Sequence, residues 1–221
     1  MFTSIRSGRV VTIAAFCVAL SACSTTKPVP YANLSSAAQL QPSSQEDADK
    51  TPFVYSSAAN WSGYSAIVME PVVVYRGPDH QFGDLSDADK QELARYMGAT
   101  FRKALGQRFR LVSGAGPNTL KLRLTLAGAD TNTAVASTVT RFDLAGMPYN
   151  VVQSIRGKEG VLMGSVSYSV EIYDATNNQL LKAFVTKQYP NAMNVGATFG
   201  SLSAAKTGID KGAEALVAQL K

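Results

Sequence analysis

Histidine and cysteine are nearly missing from this chain. Among 221 residues there is one histidine, His80, and there are two cysteines, Cys17 and Cys23. That scarcity argues against a zinc site built from Cys and His, a disulfide scaffold and most histidine-based catalysis, and neither cofactor nor metal is expected. Charge is also scarce: 17% of residues are charged, against roughly 25% in an average soluble domain. The hydrophobic share of 46% is ordinary, so the chain is not a disordered polymer, and its length suits one domain with a sizeable core.

The N-terminus reads as an export signal. Arg6 and Arg9 form a positive region, and the apolar run Val10 to Leu20 follows. That run falls short of the about 20 residues that span a bilayer, and its flanks fit a cleaved leader. Leu20-Ser21-Ala22-Cys23 resembles the bacterial lipobox, whose cysteine sulfur accepts a diacylglyceryl group. The expected organisation is a signal peptide over 1–22, a lipidated Cys23 opening a tether over 23–52, and one domain over 53–221. Two or three acyl chains would anchor the protein stably, where one would be marginal. Ser24 follows the cysteine; by resemblance to enterobacterial sorting rules, an outer-membrane anchor facing the periplasm is expected.

Cleavage removes Arg6, Arg9 and Cys17, so the formal charge of +5 falls by two and no free thiol remains. A basic balance is then poor evidence for nucleic acid, which a periplasm-facing lipoprotein seldom meets. The tether is rich in Ser, Thr, Ala, Gln and Pro. As a flexible coil it would reach about 30 Å. Tyr31, Leu34 and Leu40 interrupt its polarity and are placed to dock on the domain.

Periodicity sets out the rest. Ala66 to Tyr75 reads as a largely buried strand in which Pro71 requires an edge or a bulge. Ser86 to Phe109 reads as a helix, capped by Ser86 with Asp89 in the capping-box position. Its stripe is Leu93, Tyr96, Met97, Phe101, Ala104, Leu105 and Phe109. Arg110 to Val112 makes a short strand. Leu120, Leu122, Leu124 and Leu126 alternate with polar residues, as a half-buried strand does. Residues 128–160 look irregular, with a helical turn or two after Pro148. Val166, Tyr168, Val170 and Ile172 alternate with Ser165, Ser167, Ser169 and Glu171, and Leu180 to Tyr189 returns across an Asn177-Asn178 turn. Ser201 to Leu220 reads as a helix in which Gly208 and Gly212 permit close approach to a sheet. The order implies an α+β two-layer sandwich, a mixed or antiparallel sheet with the long amphipathic helix and the C-terminal helix on one face.

The segment Tyr64-Ser65-Ala66-Ile67-Val68-Met69-Glu70-Pro71-Val72 resembles the Tyr-x-x-hydrophobic-x-hydrophobic-x-Pro-Val opening of a bacterial lipoprotein family known as domain of unknown function 3313. The resemblance continues through Leu85 to Asp89, Gly116 to Arg123 and Val170 to Asp174, and Tyr31 to Pro42 is similar to the segment that precedes that domain. Asn177-Asn178 departs from the family's Thr-Gly type of turn. The family has no established activity, so the resemblance carries no catalytic residue. More distantly, the element order is similar to the curli-secretion lipoprotein and to lipoprotein activators of peptidoglycan synthases, which would imply an assembly or activator role.

Chemistry-bearing residues are few. His80 beside Asp79 lies in a polar loop with no Gly-x-Ser-x-Gly elbow anywhere, which favours a solvated histidine over a base. Asp84, Asp87, Asp89 and Glu92 surround a helix start, where acids stabilise the dipole; the competing reading is a glycan-cleaving carboxylate pair. Arg102, Lys103, Arg108, Arg110, Lys121 and Arg123 form the densest basic region, either a solvated face or a patch for lipid headgroups or cell-wall polymer. Tyr55, Trp61 and Tyr64 are expected to pack at the sheet edge, in preference to binding a partner or sugar. The leading expectation is a lipid-anchored binding or assembly module of the envelope, with an envelope protein or cell-wall polymer as partner and no chemistry of its own. The alternatives are an envelope hydrolase (esterase or glycan hydrolase) and a structural oligomer.

Overall fold

The structure is a computed structural model that describes residues 27–45, 47–131, 152–153, 164–191, 194 and 200–221. The leader, Cys17 and Cys23 lie outside the described residues, as does most of the expected irregular stretch; of the helical turn expected after Pro148, Val152 and Gln153 are described and are helical.

Eight strands form one open mixed sheet: β1 (Gln41–Pro42), β2 (Phe53–Ser56), β3 (Ala66–Met69), β4 (Val73–Val74), β5 (Arg110–Val112), β6 (Thr119–Asp130), β7 (Ser165–Asp174) and β8 (Leu180–Gln188). Their order is β1-β2-β8-β7-β6-β3-β5, with β4 also paired to β6. Neighbours from β1 to β6 run antiparallel, whereas β3 and β4 run parallel to β6 and β5 runs parallel to β3. The helices α1 (Asp87–Leu105) and α2 (Ser203–Gln219) pack on one face, as the α+β reading requires.

Local chemistry explains most boundaries. Pro71 falls between β3 and β4, where the register moves from Met69↔Leu122 to Val73↔Thr125. The chain there carries one residue more than β6, the bulge that a missing N–H demands. Ser86 accepts from the Asp89 N–H at 3.1 Å, the N-cap half of a capping box, and its hydroxyl donates to the Asp89 carboxylate at 2.7 Å in place of the backbone bond that would complete the box. The helix stops at Leu105, four residues short of the expected Phe109, because Gly106 begins a turn closed by the Phe109 N–H on the Leu105 carbonyl. Phe109 is buried all the same. β6 runs through Gly128 to Asp130, so the stretch expected to be irregular begins inside a strand; a register shift between Leu126 and Gly128 lets the pairing with β7 continue. At the β7–β8 turn Asn178 adopts φ 60°, and the Asp174 side chain accepts the Thr176 and Asn177 N–H groups at 2.8 and 3.3 Å.

The two sheet faces have different covers. Under the helices, the β6 leucines and the apolar residues of β7 meet Leu93, Met97, Phe101, Ile209 and Leu216. Phe101 stands edge-on to Tyr168, ring centroids 5.9 Å apart. α2 lies close to the sheet: a Cβ on Gly212 would stand 1.7 Å from the Tyr168 hydroxyl oxygen, and one on Gly208 would stand 2.8 Å from the Gln188 carbonyl oxygen. Tyr96 of α1 donates to Asp210 of α2 at 2.9 Å and ties the helices together.

The opposite face carries Ser165, Ser167, Ser169, Glu171 and Lys187, all buried. Their cover is a strap, residues 27–40, which continues into β1. The sequence reading treats this stretch as tether; here Tyr31, Leu34 and Ser36 are buried on the sheet. Tyr31 and Leu34 form a second core with Tyr75, Ala127 and Val185. The Tyr31 and Tyr75 rings lie 5.2 Å apart. Each such large apolar burial stabilises docking by about 1.5–3 kcal/mol before the entropy of ordering the strap is counted. A coil reaching about 30 Å is therefore replaced by a segment fastened almost from its start.

Candidate functional site

The residues singled out by sequence are dispersed. His80 is exposed, its ring 5.7 Å from that of Phe82. Its neighbour Asp79 is already engaged, accepting the Tyr75 hydroxyl at 2.6 Å and the Ala32 N–H of the strap at 3.1 Å. The Tyr75 hydrogen bond holds the Asp79 carboxyl below its ordinary range; burial opposes it, and the Ala32 N–H adds to it. Of the acids at the helix start, Asp89 closes the cap, Asp87 pairs with Lys90 at 3.1 Å and Glu92 pairs with Lys206 of α2 at 2.6 Å. Trp61 and Tyr64 pack partly against the core, and Tyr64 donates to Asp174 at 2.9 Å.

The six cations fall into separate groups. Arg102 and Lys103 occupy the last turn of α1, in the helical layer. Arg108 lies 4.6 Å over the Phe109 ring, and Arg110 sits on the short edge strand β5. Lys121 and Arg123 alternate with the core leucines of β6, so they project from the face opposite the helices. There they flank the Tyr173 ring at 4.9 and 5.8 Å, and Lys121 donates to Asn178. Arg123 is committed twice more, its Nε donating to Glu70 and its Nη1 to Ser35, both at 2.7 Å. The Glu70 hydrogen bond, opposed by partial burial, makes the guanidinium harder still to deprotonate.

Arg123 also borders an open cavity of about 520 Å³. One wall is the strap, through Asn33, Leu34 and Ser35; another is the β3–β4 bulge and the loop after it, from Glu70 to Gly77; the floor is Arg123, Thr125 and Glu171. Glu171 is the unusual member. It is 1% exposed, and only one of its carboxylate oxygens is satisfied. Oε1 accepts the Ser36 N–H at 2.7 Å and the Tyr173 hydroxyl at 3.2 Å. Burial, then the Glu171 charge, pushes the Tyr173 hydroxyl up to about 12, so it stays a donor. Glu171 Oε2, Ser36 Oγ and Ser169 Oγ are buried without a hydrogen-bond partner among the described residues. Arg123 pairs directly across from Glu171 in the ladder but turns to Glu70 and Ser35 instead.

Sequence reasoning missed Glu171 and Ser36, because an alternating Ser row reads as a solvated face. One signal was present. A wet row of this length usually holds several Lys or Glu, whereas this one is serine apart from Glu171, and small hydroxyls suit burial.

Residues 30–216 match a family described as a protein of unknown function (DUF3313). No curated protein matches the chain. Several solved structures are similar at low identity. A PelC dodecamer from Paraburkholderia phytofirmans is 14% identical, covering 73% of this chain and 94% of its own, with TM-score 0.36. A DUF330 protein from Xanthomonas campestris is 9% identical, covering 70% and 82%, with TM-score 0.36. A DUF4136 family protein from Bacteroides thetaiotaomicron is 9% identical, covering 76% and 95%, with TM-score 0.35. At these values no function passes from those proteins to this one.

Proposed function

The chain belongs to the DUF3313 family, and from that premise we propose that it is a lipid-anchored accessory protein of the bacterial envelope, acylated on Cys23. It binds or helps assemble another envelope component, and it sits on the periplasmic leaflet of the outer membrane. The observation that carries the reading is the position of the strap. Leu20-Ser21-Ala22-Cys23 ends four positions before Lys27, whose carbonyl accepts the Gln81 side-chain amide at 2.5 Å. Four residues of extended chain span at most about 14 Å. An acylated Cys23 would therefore hold the domain against the bilayer surface, not at the end of a long leash. A protein held so close suits a partner at or near the membrane plane, an envelope protein or a polymer lying along it.

Metabolic labelling with palmitate tests the anchor. The parent is expected to take up label and stay with membranes, whereas Cys23→Ala takes up none and becomes soluble. Equal labelling of the two overturns the reading. Crosslinking in intact cells, followed by purification from membranes, identifies the partner.

A further inference from the structure

The strap enters the domain at one end of the sheet, and the loop of residues 75–81 holds it there. The Lys27 carbonyl accepts the Gln81 side-chain amide at 2.5 Å, and Gln81 accepts the Tyr31 hydroxyl at 3.0 Å. Asp79 accepts the Ala32 N–H, and the Tyr75 hydroxyl oxygen accepts the Asn33 N–H at 3.4 Å. Gln81 also bridges to Gly128, near the end of β6. The β7–β8 turn marks the other end of the sheet: Asp174 pairs with Leu120, eight positions before Gly128 and about 26 Å from it along the strand. Around the strap's entry, Lys27, Asn33, Val73, Arg76 and His80 are exposed. Lys27 and Arg76 have no carboxylate partner among the described residues, whereas Asp79 is engaged by Tyr75 and Ala32, and Glu70 by Arg123. Asp84, exposed four positions past His80, leads into α1. Val73 is 50% exposed, more than any other large apolar side chain among the described residues, and it borders the cavity beside Asn33 and Arg76.

We infer that this end of the domain is a membrane-contact surface whose partner is the phosphate layer of a phospholipid bilayer. The inference rests on the proposed acylation of Cys23 and deepens it by naming the face that meets lipid. Its main support is where the strap starts. The chain from Cys23 to Lys27 spans at most about 14 Å, so an anchor on that sulfur keeps the strap's entry beside the headgroups. The β7–β8 turn lies about 26 Å further along the sheet, beyond the reach of so short a link. Charge is the second support. The Lys27 ammonium and the Arg76 guanidinium are free to take phosphate oxygens, the guanidinium through two parallel hydrogen bonds. Their aliphatic stems suit the interface, where long cationic side chains lie with the head in the polar layer. Val73 adds an apolar group at the same level.

Spin-label depth measurements test the surface. An acylated, processed chain has no free thiol, so one introduced cysteine carries one nitroxide. The full-length protein is expressed with its leader, and Val73→Cys, Asn33→Cys and Asn177→Cys, all at exposed positions, are labelled separately. Each is reconstituted in vesicles of phosphatidylethanolamine and phosphatidylglycerol. Power saturation then compares collisions with oxygen, which concentrates in lipid, against collisions with a water-soluble nickel chelate. The labels at Val73 and Asn33 are expected to favour oxygen, and the label at Asn177, on the far turn, to favour the chelate. Adding Lys27→Glu and Arg76→Glu to Val73→Cys is expected to abolish the oxygen preference with the anchor intact. The number of labels separates the two readings. More than one label per chain means that Cys23 is unblocked or the leader retained, which overturns the anchor and this surface with it. One label per chain with the three positions alike, or an oxygen preference untouched by the two glutamates, overturns this surface alone.

Discussion

The two faces of the sheet are buried by different means. Under α1 and α2 the cover is apolar and tightly fitted, down to two helical glycines whose Cβ atoms would collide with the sheet. Under the strap the cover is a single thin segment. It is held by Tyr31 and Leu34 and by a few polar contacts, and it leaves three buried oxygens without partners. The first face resembles the interior of any stable domain, where volume decides energy. The second leaves buried polar atoms without hydrogen bonds, which costs stability. The comparison sets a close-packed apolar face against a polar face closed by one segment of chain.

Overpacking breaks the helical face most severely. Gly212→Ala is expected to cost about 1–3 kcal/mol in denaturant unfolding, although alanine is the better helix former by about 1 kcal/mol. A gain in stability would mean that α2 stands further from Tyr168 than described. Removing an anchor of the strap is expected to act locally. Tyr31→Ala should free the amides of residues 31–40 to exchange while lowering global stability by under about 2 kcal/mol, because the strap peels before the sheet opens. A cooperative loss of the whole fold would erase the distinction between the two faces.

Acid sharpens it in the same direction. Asp79 is held below its ordinary value of 3.8 by the Tyr75 hydroxyl and accepts the Ala32 N–H. A depressed folded pKa contributes stability above the unfolded value, and that stability is lost as pH falls through the folded one. Strap exchange, corrected for its intrinsic rate, should therefore rise below about pH 4 while protection in β6 and β7 persists. The smallest effect has the opposite sign. Ser169→Ala deletes an unpartnered buried hydroxyl, so a gain of up to about 1 kcal/mol is expected by thermal unfolding. A loss would show that the hydroxyl has a partner.

Local chemistry made much of the fold legible. The Ser86–Asp89 cap, the leucine row of β6, the Asn178 turn and the two close-approach glycines are each set by neighbours in sequence, and each lies where the pattern puts it. What could not be read is what covers the serine face. Ser36 and Glu171 are 135 positions apart, and no periodicity reports that contact. Glu171 looked like one more polar residue of an alternating strand, so the cavity it floors was invisible. The basic cluster shows the converse. Lys121 and Arg123 stand on one sheet face, whereas Arg102 and Lys103 belong to the helix on the other, a separation that adjacency in sequence conceals.

Amide hydrogen exchange of the full-length protein at neutral pH tests the central claim most directly, read at Ser36. If the strap seals the polar face, that amide, bonded to a buried carboxylate, exchanges orders of magnitude more slowly than a free coil. Exchange at the free-coil rate there, beside a protected β7, would mean that the segment hangs loose and the serine face is wet.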